Sequence, residues 1–114
     1  MKVSANITDK FAILKFEVEQ VLGYEGQEFQ DTLLNSLEKK INYVVIDLSS
    51  VKFISSWGIG MFMHGLTTTV NRGGQFRIAC LADNVFEVFK KVRIDTVLDL
   101  YETVDLAISN NKIN

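Results

Sequence analysis

The sequence is poor in the groups that most site chemistry needs. It has one histidine, His64, and one cysteine, Cys80, in 114 residues. With no second histidine and no cysteine or acidic pair at ligand spacing, a metal site would lack its other ligands. His64 falls in a helical pattern after Ser56 with no orienting acid evident, so no serine–histidine–aspartate arrangement can be drawn, and it reads as a polar helix residue. A lone thiol forms no internal disulfide, and Cys80 ends an apolar strand, where a thiol is inert filling. No glycine loop fits a phosphate: Gly58 and Gly60 lack the lysine and spacing of a P-loop, and Gly23 with Gly26 departs from the dinucleotide fingerprint. Asp31, Asp47, Asp83, Asp95 and Asp99 do not pair at a spacing that implies acid and base roles; a solvated surface explains them. Catalytic residues, metal ligands and cofactor motifs are therefore not expected, and the chain reads as a binding protein instead of an enzyme.

Strong charge of either sign is also missing. The 12 basic and 14 acidic residues leave a formal −2, and the lysines and arginines are scattered, so there is no field for nucleic acid. No apolar run approaches the roughly 20 residues that span a bilayer, and the opening MKVSANITDK lacks the apolar region of a signal peptide. The expectation is a soluble, cytoplasmic protein. A chain of 114 residues, 47% of them hydrophobic, suits one compact domain over 1–114 with one core.

What is present centres on Tyr43 to Gly60, YVVIDLSSVKFISSWGIG. The β-branched run Val44, Val45, Ile46 predicts a central strand covered on both faces, with Asp47, Ser49 and Ser50 as its polar exit. Phe53 and Ile54 then return to the core. Ser55 or Ser56 stands where an N-cap belongs, its hydroxyl able to accept from an unpaired amide of the first helical turn. Such a serine has two uses. It can be a plain cap, or it can be a switch, because helix-start amides tolerate a phosphate and the roughly −1.5 to −2 charges it adds can abolish a contact made across that spot.

The remaining elements follow by periodicity. Lys2 to Ile7 predicts an edge strand, with Asn6 and Thr8 to Lys10 as turn. Phe11 to Val18 predicts a strand with Ala12, Leu14, Phe16 and Val18 on its core face, beside Tyr43 to Leu48. Glu19 to Gly26 reads as a loop, and Gln27 to Lys40 as an amphipathic helix with Phe29, Leu33, Leu34 and Leu37 inward and Lys39 and Lys40 at its end. Trp57 to Asn71 is a helix ended by Gly73 and Gly74, packing through Met61, Phe62, Met63 and Leu66. Its three glycines, Gly58, Gly60 and Gly65, each cost roughly 1 kcal/mol of helix propensity, so something approaches closely, either the sheet or a partner. Gln75 to Leu81 predicts a strand with Phe76, Ile78 and Cys80 on one face. A helix over Val85 to Val92, capped by Asp83 or Asn84, a strand around Val97 to Leu100, a helix capped by Thr103 and a polar tail from Asn110 to Asn114 complete the chain. The fold class is α/β: a mixed, largely parallel sheet of four to five strands with about four helices.

The segment D-L-S-S-V-K-F-I followed by S-S-W-G-I-G resembles the STAS domain of anti-sigma-factor antagonists, in element order from Ile41 to Ile108 and more loosely before that. That family's motif runs hydrophobic, Asp, Ser, Ser or Thr, Gly, Leu or Ile, Gly, and a partner kinase phosphorylates its first serine. On this chain Phe53 and Ile54 match the apolar lead, Ser55 falls at the Asp, Ser56 at the phosphorylated serine, Trp57 at the second hydroxyl, and Gly58, Ile59 and Gly60 at the end. Two residues depart from the pattern: Ser55 removes a carboxylate beside the acceptor, and Trp57 places a large ring where the family has a small polar group. The Gly-Glu-Leu-Asp-like segment that family members often carry is missing from Glu19 to Gly26. The resemblance implies a module that binds a serine-kinase anti-sigma factor through Ser55, Ser56, Trp57, Gly58, Ile59 and Gly60, with Ser56 (alternatively Ser55) as off switch and with ATP and magnesium belonging to the kinase. The alternative it leaves open is a STAS scaffold without the switch, a subunit of a larger signalling or transport assembly anchored by Trp57.

Overall fold

The computed structural model describes residues 2–110 and 112–113. In chain order the elements begin β1 (Val3–Thr8), β2 (Phe11–Phe16), β3 (Gln20–Val21), α1 (Gly26–Leu37), β4 (Tyr43–Asp47) and β5 (Phe53–Ile54). They continue with α2 (Ser56–Asn71), β6 (Gln75–Ala79), α3 (Asp83–Lys91), a 3-10 turn at Ile94–Thr96, β7 (Asp99–Tyr101) and α4 (Val104–Ile108). The main sheet has five strands in the order β1-β2-β4-β6-β7, antiparallel only at the β1–β2 hairpin; β3 and β5 form a separate parallel pair. A largely parallel sheet with four α-helices is what the alternating pattern predicts.

β4 is central because its residues suit burial on both faces. Val44 and Ile46 face one way with Ala12, Leu14, Phe16, Phe76, Ile78 and Leu100, against Phe29 and Leu33 of α1, Ile59 and Phe62 of α2, and Val85 and Phe89 of α3. Val45 faces the other way, with Ala79, Tyr101 and Ala107 of the short helix α4. The thick side is held by aromatic rings set edge to face: Phe62 lies 5.3 Å from Phe16 and 5.8 Å from Phe29, and Phe29 lies 6.5 Å from Phe76. On the thin side Arg77 is buried, donating to the Ala107 carbonyl at 2.7 Å and stacking over Tyr43.

Several elements differ from the sequence expectations, each for a local reason. Asn6 lies within β1, and only Asp9 and Lys10 make the turn, Asp9 taking φ 52°. β2 ends at Phe16, so Val18 is only half-buried. α1 stops at Leu37, before Lys39 and Lys40; Lys40 is in the left-handed region at φ 61°. Ser36 rather than Leu34 is buried there, its hydroxyl satisfied by the Thr32 carbonyl at 2.9 Å. α3 is capped by the Ala82 backbone and not by Asp83 or Asn84; the Asn84 amide instead reaches the Lys52 carbonyl. The last strand starts at Asp99, leaving Val97 exposed. Thr103 does cap α4, accepting from the Leu106 amide at 3.1 Å. The polar tail is not free where it is described: Tyr101 donates to Asn110 at 2.6 Å, Lys112 pairs with Asp99 at 3.2 Å, and the Ile113 amide reaches the Leu100 carbonyl at 2.7 Å. Asn111 and Asn114 lie outside the described residues, as does Met1.

Cys80 is also displaced from its expected row. β6 ends at Ala79 and Cys80 takes φ 66°, which turns the thiol away from Phe76 and Ile78 toward the thin side of the sheet. Burial, then the charge of Asp47, push its pKa from 9.0 up to about 11. The thiol therefore stays protonated at neutral pH, and iodoacetamide at pH 8 is expected to label the folded chain far more slowly than the urea-unfolded one. The folded state holds this proton longer than the unfolded state, so the associated stability is intact below about pH 9 and is lost as pH rises from there toward 11. Cys80→Ala should flatten that part of the alkaline limb in melts across pH; an unchanged limb would contradict the assignment.

Candidate functional site

The N-terminus of α2 is set by a short chain of backbone bonds. The Glu19 carbonyl accepts from the Lys52 and Phe53 amides at 2.7 and 3.1 Å, and the Val21 carbonyl accepts from the Ser55 amide at 3.0 Å. These bonds make the small β3–β5 sheet, and they fasten the segment before α1 to the segment before α2. β3 lies inside Glu19 to Gly26, which reads from sequence as a loop; only Val21, an apolar residue that ends fully buried, hints at it.

Ser55 is the N-cap. Its backbone is extended at φ −92° and ψ 169°, and its hydroxyl accepts from the Gly58 amide at 3.2 Å. Ser56 is the first helical residue and is exposed, so of the two candidate serines the downstream one leaves the capping to its neighbour. Trp57 is 77% exposed, while Gly58 and Ile59 are buried and Gly60 is open to solvent. The six motif residues are thus contiguous but split: Ser56, Trp57 and Gly60 are displayed, Gly58 and Ile59 hold the helix down, and Ser55 sits between.

The glycines of α2 divide the same way. A Cβ on Gly58 would come within 2.7 Å of the Val21 carbonyl oxygen and 2.9 Å of Ile54, and one on Gly65 within 2.7 Å of the Phe29 ring. Those two are required by packing within the chain. A Cβ on Gly60 would meet nothing within 4 Å. The intrinsic cost of that glycine, about 1 kcal/mol, has no return inside the chain.

Around this helix start the structure gathers apolar surface. Phe53, expected in the core, is 46% exposed because in a two-residue strand Ile54 takes the inward side at 2% exposure. Tyr24 is 81% exposed in the turn before α1. That turn is held against the motif: Gly23 has φ 103°, and a Cβ there would come within 2.9 Å of the Trp57 Cβ, while the Glu25 carboxylate accepts from the Gly23 amide at 3.3 Å. Between the start of α1 and the outer face of α2 runs an open groove of about 370 Å³, lined by Gly26, Gln27, Gln30, Trp57, Gly60, Met61 and His64. His64 is thus an exposed helix residue on the groove wall, while Met61 and Met63 are half-buried and pack at the edge of the core that Phe62 and Ile59 fill. Phe53, the apolar lead of the motif, was expected in the core and instead joins this exposed surface; Tyr24 was marked by no motif, and its flanking glycines are the one sequence signal for it.

Among the described residues no group of three or more histidine, cysteine, aspartate or glutamate side chains could hold a metal ion, and no helix is long and apolar enough to cross a membrane. The site offers aromatic surface, a hydroxyl at a helix start and an open helix face.

Solved structures of the same fold support a specific placement. A STAS domain anti-sigma-factor antagonist from Planctomyces limnophilus aligns with a TM-score of 0.83 at 20% identity, covering 95% of this chain and 96% of that one. The anti-sigma factor antagonist SpoIIAA, solved in its unphosphorylated form, aligns at 0.78 and 10% identity over 95% and 94% of the two chains. A sulfate transporter family protein from Wolinella succinogenes aligns at 0.79 and 11% identity over 92% and 87%. At these identities the likeness is one of fold. The sequence itself matches the STAS domain family over residues 2–107, which is nearly its whole length, and the chain therefore belongs to the STAS domain family.

Proposed function

We propose that this chain, acting as one STAS domain, is an anti-sigma-factor antagonist of the cytoplasm. It binds a serine-kinase anti-sigma factor, and phosphorylation of Ser56, with Ser55 as the alternate acceptor, ends the binding. ATP and magnesium are held by the kinase, so the chain needs no cofactor or catalytic group of its own. The observation that carries this reading is the division of labour between the two serines: Ser55 caps α2, and Ser56 is left displayed beside an exposed Trp57 and an open Gly60. The similarity in fold to SpoIIAA, an antagonist with an unphosphorylated form, agrees with it.

The mechanism is electrostatic. Unmodified, Ser56, Trp57 and Gly60 at the start of α2 present a surface without ionisable groups to the partner. A phosphate there adds roughly −1.5 to −2 charges, tolerated within the chain by the helix-start amides but costly to bury against another protein. Bringing such a charge into an unmatched interface costs several kcal/mol, on the order of a hundredfold or more in affinity. With the purified kinase partner and ATP, the parent chain is expected to gain one phosphate mapped to Ser56 and to dissociate. Ser56→Ala should remain bound under the same conditions, and Ser56→Asp should fail to bind. Equal behaviour of the two variants rejects the switch.

One observation favours a second reading, a constitutive scaffold in a larger signalling or transport assembly. Trp57 stands at a position where the family has a small polar residue, and its ring is mostly exposed, as an interface anchor would be. In that case Trp57→Ala abolishes assembly while both Ser56 variants assemble normally.

A further inference from the structure

The two edges of the main sheet are treated differently. The β7 edge is three residues long and is closed by the C-terminal segment, through the Ile113 amide to Leu100 and the Lys112 pair with Asp99. The β1 edge is six residues long and has no strand beside it among the described residues. Edge strands are ordinarily protected by a lysine, a proline, a bulge or an inward charge. VSANIT has no charged residue, the whole chain has no proline, and the β1–β2 register runs unbroken from Val3 opposite Phe16 to Thr8 opposite Phe11.

The register also tells which backbone groups are open. The Glu17 amide donates to the Lys2 carbonyl at 2.7 Å, which sets the phase of the hairpin bonds, while the Lys2 amide itself goes to the Glu28 carboxylate at 3.0 Å. Alternation then turns Ser4, Asn6 and Thr8 toward β2 and turns Val3, Ala5 and Ile7 outward. The Val3 amide does point outward, where the Glu28 carboxylate of α1 accepts from it at 3.2 Å. The amides of Ala5 and Ile7 and their carbonyls remain directed away from the sheet. Beside them lies a groove of about 380 Å³ between β1 and α1, lined on the strand side by Val3, Ser4, Ala5 and Ile7. Ile7 is 37% exposed on that side.

We propose that this edge pairs with the same edge of a second copy of the chain, antiparallel about Asn6, so that two sheets join across a two-fold axis. This register sets Ala5 opposite Ile7 of the second copy and Ile7 opposite its Ala5. It uses the two outward amides that Glu28 leaves untouched, giving four backbone hydrogen bonds. Paired side chains share a face, so each isoleucine fills the groove beside a small alanine of the other copy. No charged residue lies in the paired stretch Ser4 to Thr8, and an isologous contact closes at the dimer instead of growing into a fibre. Asn6 meets its own counterpart on the opposite face, as a non-hydrogen-bonded pair with Cα atoms about 4.5 Å apart.

Sedimentation equilibrium of the full chain is expected to show its average mass rising with concentration toward twice the monomer. Ala5→Pro removes one outward amide without touching the bonds to β2, and Ile7→Lys puts a charge in the groove; each should weaken association tenfold or more while the circular dichroism stays that of the parent. In a Cys80→Ser background, Asn6→Cys should oxidise to a linked dimer at least tenfold faster than Glu87→Cys, a control on the exposed side of α3, because the symmetric pair falls within disulfide reach. A chain that stays monomeric at every concentration overturns the proposal and leaves this edge to a strand of a different protein. So does a dimer unaffected by both edge variants, or equal cross-linking at Asn6 and Glu87.

Discussion

Phe62→Ala is expected to cost about 3–5 kcal/mol. Phe62 is fully buried on α2 and meets two other rings, Phe16 from β2 and Phe29 from α1. Its removal therefore empties the point where the sheet and two helices meet, and the neighbouring rings, fixed by their own contacts, cannot collapse into the space. Typical domain stability is only about 5–15 kcal/mol, so the variant sits close to unfolding at room temperature. The urea midpoint should fall by that energy divided by an unchanged denaturant slope. Phe62→Leu keeps much of the volume and is expected to lose about half as much or less. A loss below about 1 kcal/mol for the alanine variant would mean that the ring cluster is not the centre of the core.

The second large effect is at Gly58, and its sign is opposite to that of a neighbour two residues away. Gly58→Ala should destabilise by about 2 kcal/mol: overpacking a tight site costs roughly 1–3 kcal/mol, and here the obstacle is a backbone oxygen that cannot retreat. The Val21 carbonyl 2.7 Å from the new Cβ is the acceptor of the Ser55 amide, so relief of the clash pulls on the anchor of the helix start. Gly60→Ala meets no atom within 4 Å and should gain up to about 1 kcal/mol from helix propensity alone. If Gly60 lets a partner backbone approach, the same variant that melts higher will bind the proposed anti-sigma partner less tightly. Denaturant titrations of the two variants separate these cases, and a stabilised Gly58→Ala would refute the packing argument.

These two glycines also mark where sequence reading succeeds and where it stops. The run Val44 to Ile46 and the apolar period of α2 fixed the central strand and the site helix, because burial on two faces and on one stripe leaves a periodic trace. Phe11 to Phe16 was legible for the same reason, whereas β1, buried only at Val3, leaves no such trace, and its second half at Asn6 and Thr8 read as turn. β3 was not: two residues carry no period, and its existence depends on β5 arriving from more than thirty residues away. The same pairing exposes Phe53, which composition alone would bury. Within the site, a serine cap at 55 or 56 could be named but not assigned, since the choice rests on a dihedral angle and one 3.2 Å bond. Gly58, Gly60 and Gly65 looked alike in sequence, and only their surroundings tell a packing glycine from a displayed one.

The fastening of the two loops by Glu19 and Val21 has a consequence for how any message at Ser56 would be read. The Ser55 amide is pinned to a neighbouring strand, so the hydroxyl one residue on is mounted on a stiff support, not on a yielding loop. A phosphate placed there would find little to rearrange. Its two forms would share one shape and differ in field, and a partner would tell them apart by local potential instead of by conformation. Discrimination of that kind is fast, needs no slow refolding step, and fades as ionic strength shortens the screening length.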